Sequence, residues 1–368
     1  MEMQVKEAAL AGIELLVVPF TINEAEANQL SPHVISDLHK RKFTDRNIPK
    51  LLQYAYNENI KVGFLIEKYL GRTETKVFLQ IKYLLTKYKG YKSFFPIFYI
   101  YDAHDLNMKS VLSKTASYEP VSIRKLYHNM VTKASAHEED GTNTVKQKLH
   151  EKLYVISSWV HPDSGVKAYE DGYDGLFTYF ASDKHAYGSN ISNWKAMNAY
   201  SSKNDMLFIP SISPGYDDLK VRPWNSEMVV ERYTSSSDDE MDEKEFYFTK
   251  RCDNAIAELS EHPPRMLLIN SFNDWVHGTQ IEPAMPVTIP PLEQCDPSRK
   301  GNRMCKRLQR QLNIDGTYYG YLGETSMDDY TTQIQTGNPG IVTNNVFETS
   351  GPYHYLKLAK KCIKKMFE

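Results

Sequence analysis

Apolar positions in this chain come in short, dense runs separated by stretches of helical periodicity. Ile13 to Val18 is β-branched and apolar and is expected to form a buried strand stopped by Pro19. Asp45 to Asn59 carries Ile48, Leu51, Leu52, Ala55 and Tyr56 at helical spacing. Lys61 to Glu67 reads as a strand, and Thr75 to Tyr88 as a helix with Val77, Ile81, Leu84, Leu85 and Tyr88 on one face. Phe95 to Tyr101 is too apolar to face water on either side. The alternation continues through strands at Leu153–Trp159, Gly175–Tyr179, Met206–Ile212 and Arg265–Ser271, with helices at Trp194–Tyr200 and Lys244–Leu259.

Fully apolar strands alternating with helices predict a parallel sheet covered by helices, hence an α/β chain of the (β/α)8 TIM-barrel type. Such a barrel closes with eight strands, and the pattern shows one fewer. Residues 1–282 are expected to form the barrel. Residues 283–368, rich in Pro, Gly, Tyr and Thr, read as an irregular wrapping tail that ends in an amphipathic helix from Tyr353 to Met366. Ser135–Thr144 and the acidic run Thr234–Glu245 read as surface loops.

Composition narrows the function. A net charge of −2 leaves no basic surplus for nucleic acid. No GxGxxG, P-loop, GxSxG or HExxH is present, and no cofactor or metal is expected. Four cysteines are too few for a disulfide scaffold, with Cys295 and Cys305 either pairing in a loop or staying free. Neither a signal peptide nor an apolar run long enough to span a membrane is visible. The 25 tyrosines offer flat faces with polar tips, which suits sugar stacking and suits an ordinary core equally.

In barrels of this type, reacting groups sit where strands end. Those positions hold Glu67, then Tyr101 and Asp102, then Tyr179, then Tyr216 to Asp218, then Asn273 to His277. Aromatic faces with carboxylates and amides are the chemistry of a polyhydroxyl ligand site. Glycoside hydrolysis needs two carboxyls, and Glu67, Asp102, Asp217, Asp218, Asp274 and Glu282 are all candidates. His277 could carry a proton near neutral pH.

The run Ser271 to Ala284 (SFNDWVHGTQIEPA) resembles the endo-α-1,2-mannosidases of glycoside hydrolase family 99, which carry Ser-Phe-Asn-Glu-Trp-His-Glu-Gly-Thr-Gln-Ile-Glu there. The likeness extends to AGIELLVV near the start, Phe64–Glu67, Pro96–Asp102, Ser122–Arg124, Gly172–Ser189 and Phe208–Asn225. It implies a barrel that cleaves inside glucosylated high-mannose N-glycans in the Golgi lumen, where the full-length family protein is membrane-anchored. The implied partner is a high-mannose glycan or glycoprotein.

The implied chemistry is retaining: one Glu takes the proton of the substrate 2-hydroxyl, and a second, three residues on, protonates the leaving oxygen. Here those positions are Asp274 and His277, the catalytic pair by resemblance, and Val276 stands where the family has His. The expected substrate contacts are Glu67, Tyr101, Asp102, Tyr179, Tyr216, Asn273 and Trp275, with Arg222 and Trp224 as scaffolding. An aromatic strand that the family places before AGIELLVV is absent, so an N-terminally truncated sequence is expected. Three readings remain open: a hydrolase using Asp274 and His277, a hydrolase using another carboxyl such as Glu282 or Asp102, and a glycan-binding barrel that does not cut. Asn190-Ile191-Ser192 is an N-glycosylation sequon.

Overall fold

The computed structural model describes residues 1–20, 32–113, 124, 129, 152–179, 182–218, 226–230, 241–260, 263–288, 317–321 and 353–368. The chain divides into two compact units. The first comprises residues 1–9, 13–211 and 254–268, and the second comprises 10–12, 212–253 and 269–368.

The first unit is built on a parallel sheet of six strands in sequence order. These are β1 (Leu15–Phe20), β2 (Lys61–Ile66), β3 (Phe94–Ile100), β4 (Tyr154–Ser158), β5 (Gly175–Phe177) and β6 (Leu207–Ile209). Helices connect them: α1 (Glu2–Leu10) precedes β1, and α2 (Pro32–Asn57), α3 (Glu74–Tyr88), α4 (Lys109–Leu112), α5 (Ser164–Asp171) and α6 (Trp194–Lys203) follow in turn. Parallel neighbours in chain order with helical crossovers are the repeating unit of a (β/α) barrel, as the apolar runs predict. Two very short strands, β7 (Ser211–Ile212) and β8 (Leu268–Ile269), pair with each other.

Side chains alternate across a strand, so both faces of this sheet can be read off the sequence. One row consists of Leu65, Ile97, Tyr99, Tyr154, Ile156, Phe177, Leu207 and Ile209, all buried and in mutual contact. The opposite row includes Val62, Phe64, Phe98 and Val155, which are fully buried in turn. The α3 stripe Val77, Ile81, Leu84 and Leu85 is equally buried. Thr73 caps α3 by accepting from the Lys76 amide at 3.3 Å. The sheet is tight enough that glycine is required at β5: a Cβ on Gly175 would lie 2.6 Å from the Leu207 carbonyl oxygen.

Four expectations are corrected. Pro19 does not stop the first strand; it lies within β1, in register with Leu65. β1 ends the described sheet, and Pro lacks only the outward N–H that such a strand leaves unused. The same position explains why β1 is largely half-buried and not the fully buried strand its apolar run suggests. The second helix starts upstream of Asp45, at Pro32, and continues through Pro49. Within the expected tail, β9 (Ala284–Thr288) and β10 (Thr317–Tyr321) pair antiparallel.

The fourth correction concerns cysteine. In the second unit, α7 (Met241–Ala257) and the C-terminal α8 (His354–Phe367) are joined by a Cys252–Cys362 disulfide. Phe248 packs edge-on against Tyr355, and Lys365 pairs with Asp253 at 2.8 Å beside it. Two isolated cysteines far apart in sequence carry no spacing signal, which is why the bond was not expected. Cys295, Cys305, Ser135–Thr144, Thr234–Glu240, Arg222 and Trp224 lie outside the described residues. Among the described residues no helix is long and apolar enough to cross a membrane.

Candidate functional site

In the second unit the loop leaving β8 is closed by its own backbone. Ser271 N–H donates to the Thr279 carbonyl at 2.9 Å, Ile281 N–H to Ser271 at 3.0 Å, and Glu282 N–H to Phe272 at 2.8 Å. Gly278 turns the chain at φ 63°, a conformation that favours glycine. The Ser271 hydroxyl accepts from the Asp274 amide at 2.8 Å and lies 2.9 Å from the Thr279 hydroxyl. These bonds present residues 273–277 as a fixed turn.

On that turn Asp274 and His277 meet directly. Asp274 Oδ2 lies 2.8 Å from His277 Nδ1, and the His277 amide donates to Oδ1 at 3.3 Å. The Tyr216 ring stacks on the imidazole at 6.1 Å and 13°. The Asp217 amide holds the His277 carbonyl at 2.9 Å. Burial pushes the Asp274 carboxyl up, but the His277 hydrogen bond and charge, with backbone N–H groups of His277 and Val276, outweigh it and hold the carboxyl below its usual range. An ionised carboxylate only accepts, so Nδ1 is the ring nitrogen that donates to it. The contact orients the imidazole as an Asp orients His in a triad. Two carboxyls flanking a glycosidic bond stand apart by roughly 5 Å or more, leaving room for substrate between them.

Trp275, half-buried, donates its indole N–H to Glu282 Oε2 at 2.7 Å. Glu282 is 3% exposed, and one of its carboxylate oxygens fixes the ring. Tyr216 and Asp218 are buried, while Asn273 is exposed.

In the first unit the inward-facing rows of β3 and β5 run on beyond the strands to Tyr101 and Tyr179, which continue the core cluster. Their rings meet at 5.0 Å, tilted by 50°, and Phe177 packs edge-on against Tyr179 at 6.3 Å. Glu67, half-buried at the end of β2, donates its amide to the Phe20 carbonyl at 3.4 Å. Asp102 occupies the left-handed region at φ 45°, which Asp tolerates better than most residues. Its amide donates to Ser158 Oγ at 2.7 Å, and Arg72 donates to both the Tyr101 and Asp102 carbonyls. Its carboxylate pairs with Lys68 at 2.6 Å, and this bond, with one to Asp105, raises the Lys68 ammonium above its ordinary value.

The structure thus brings Tyr101 to Tyr179, and Asp274 to His277 and Tyr216, and ties Trp275 to Glu282. Lys68, Arg72, Ser158, Ser271 and Thr279 position these groups without having been singled out. Arg72 follows Gly71 just past β2, and that turn was its only trace in the sequence. Arg124, inside one of the matching segments, is structural: it holds Asp174 at 2.5 Å, and Asp174 in turn accepts from the Val155 amide.

Residues 21–309 match the family model described as Glycosyl hydrolase family 99. A glycoprotein endo-alpha-1,2-mannosidase of Rattus norvegicus is 29% identical over 253 residues, covering 66% of this chain and 47% of the relative. A glycoprotein endo-alpha-1,2-mannosidase-like protein of Mus musculus is 32% identical over 257 residues, covering 67% and 49%. The chain spans about half the length of these curated relatives. The solved GH99 endo-alpha-mannosidase of Bacteroides thetaiotaomicron superposes with a TM-score of 0.64 at 21% identity, covering all of this chain and 83% of that one. That likeness places the fold among the barrels of this family.

Proposed function

The chain belongs to glycosyl hydrolase family 99, and on that premise we propose that it acts on glucosylated high-mannose glycans, as an endo-α-1,2-mannosidase-type protein whose proton chemistry runs through His277. The observation that carries this reading is the 2.8 Å bond between Asp274 and His277. It fixes the imidazole tautomer and leaves Nε2 to donate a proton to a departing glycosidic oxygen. Asp274 stabilises the imidazolium and is engaged while doing so. Glu67 and Tyr179 are the proposed sugar contacts.

The same bond favours a second reading, a protein that binds such glycans without cutting them. The family chemistry asks for two independent groups, one for the 2-hydroxyl and one for the leaving oxygen. A pair joined at hydrogen-bond distance supplies one, so on this reading cleavage does not proceed and binding is the activity. The proposed setting is the lumen of the Golgi, with which an intramolecular disulfide is compatible.

One experiment separates the two readings. The protein is incubated with a glucosylated high-mannose glycan and, separately, with a glucosyl-α-1,3-mannosyl fluoride, whose fluoride departs without help from an acid. Slow glycan cleavage that disappears in His277→Ala, with fluoride turnover surviving that change, establishes the hydrolase with His277 as acid. Binding by calorimetry with neither substrate turned over overturns it and establishes the binder.

A further inference from the structure

The chain contains a single N-x-Ser/Thr sequon with x other than Pro, Asn190-Ile191-Ser192. We propose that Asn190 is the acceptor of an N-linked glycan, so that this protein is itself a glycoprotein. The proposal is independent of whether the barrel hydrolyses anything.

The local structure suits the modification. Asn190 stands between two short 3-10 turns ahead of α6, with φ −76° and ψ 114°, so its side chain is not wrapped inside a helix. Its Oδ1 accepts from the Ser192 amide at 3.0 Å and from the Ser192 hydroxyl at 2.8 Å. Both bonds use the carbonyl side of the amide. Among the described residues none is found for Nδ2, the atom that would be glycosylated. Asn190 is half-buried and Ser192 exposed, so the turn reaches the surface.

The turn can carry a bulky substituent because it is anchored from behind. The Trp194 indole donates to the Gly188 carbonyl at 2.8 Å, Asn193 Nδ2 to the Tyr187 carbonyl at 2.8 Å, and the Asn193 amide to the Asn190 carbonyl at 3.0 Å. Gly188 sits so close to Trp159 that a Cβ there would meet the Trp159 carbonyl oxygen at 2.0 Å. None of these contacts uses the Asn190 side chain, so a glycan on Nδ2 leaves them in place.

A second, independent observation supports the compartment. The Cys252–Cys362 bond fits a chain matured under oxidising conditions such as those of the secretory lumen, where N-glycosylation also occurs. In the reaction, Nδ2 forms a bond to the anomeric carbon of a polyisoprenyl-diphosphate-linked oligosaccharide. The bond from that carbon to the diphosphate oxygen breaks, the lipid diphosphate leaves with the electron pair, and the amide loses one proton.

The test takes the protein from its own cells, treats it with a peptide N-glycosidase and maps the peptide containing Asn190. The expected result is a glycosidase-sensitive mass at that peptide and a mobility shift of the whole chain. In parallel, the chain is sent through the secretory pathway of cultured cells. There Asn190→Gln and Ser192→Ala should each abolish the shift, and Ser192→Thr should retain it. Secretion with the Cys252–Cys362 peptide intact shows that the variants fold. Recovery of only unmodified Asn190 from the native protein overturns the proposal, as does a shift that persists in both Asn190→Gln and Ser192→Ala.

Discussion

Asp274 Oδ2 and His277 Nδ1 are 2.8 Å apart, so the carboxylate selects the ring nitrogen that donates and the imidazole favours the ionised carboxyl. The direction of the Asp274 shift follows from this: His277 lowers it against the opposing effect of burial.

Removing the imidazole should therefore take away the main effect that opposes burial, leaving only the backbone N–H groups of residues 276 and 277 to do so. In His277→Ala the Asp274 carboxyl should titrate higher than in the parent. Carbon-detected NMR of the labelled carboxyl measures this directly; a midpoint unchanged from the parent would refute the pairing. The sign for stability follows. In the parent the depressed carboxyl contributes stability that is present above its unfolded pKa and is lost as pH falls through the folded one, and His277→Ala should reduce that acid-side loss.

Restoring two independent carboxyls tests whether the surrounding turn is competent. The double change Asp274→Glu with His277→Glu should raise the rate of glycan cleavage by about a hundredfold, the scale on which an ångström-sized displacement of a reacting group acts. The readout is disaccharide release. An unchanged rate would mean that the deficit lies outside these two positions.

At the start of β5 the sheet has no space for a methyl group, since the obstacle at Gly175 is the Leu207 backbone carbonyl and not a movable side chain. Gly175→Ala should cost about 1–3 kcal/mol, read as a lower denaturant midpoint. Gly90, where an added methyl would meet nothing within 4 Å, is the control, and Gly90→Ala should leave the midpoint nearly unchanged.

The disulfide closes a loop between residues 110 apart in sequence. Cys362→Ser should lower stability by about 2–4 kcal/mol. The same loss should appear in the parent protein once it is fully reduced, and not in Cys362→Ser on adding reductant.

Most strands were legible because burial on both faces demands uninterrupted apolar runs; Phe94–Ile100 and Tyr154–Ser158 are the clear cases. Pro19 misled because a proline is forbidden in a central strand and allowed in one at the sheet's end, and sequence order does not say which is which. Helix α1 was missed because it buries only Val5, Glu7 and Ala8, too few for a periodic stripe. At the site, spacing placed Asp274 and His277 on one short segment, but their bond depends on the turn that Ser271, Thr279 and Gly278 hold. The Trp275–Glu282 bond was hidden for the same reason: seven residues apart, the two meet only because that turn brings the chain back.

Most backbone bonds that shape this turn run through Ser271, Phe272, Thr279, Ile281 and Glu282 and the Asp274 main chain, and the Asp274 carboxylate adds one from the His277 amide. The shape of the loop therefore rests mainly on bonds that any residues at positions 274 and 277 would keep, and the side-chain pair adds only its acid-sensitive increment. Reacting groups could be exchanged there at a small cost in stability, with the scaffold around them kept.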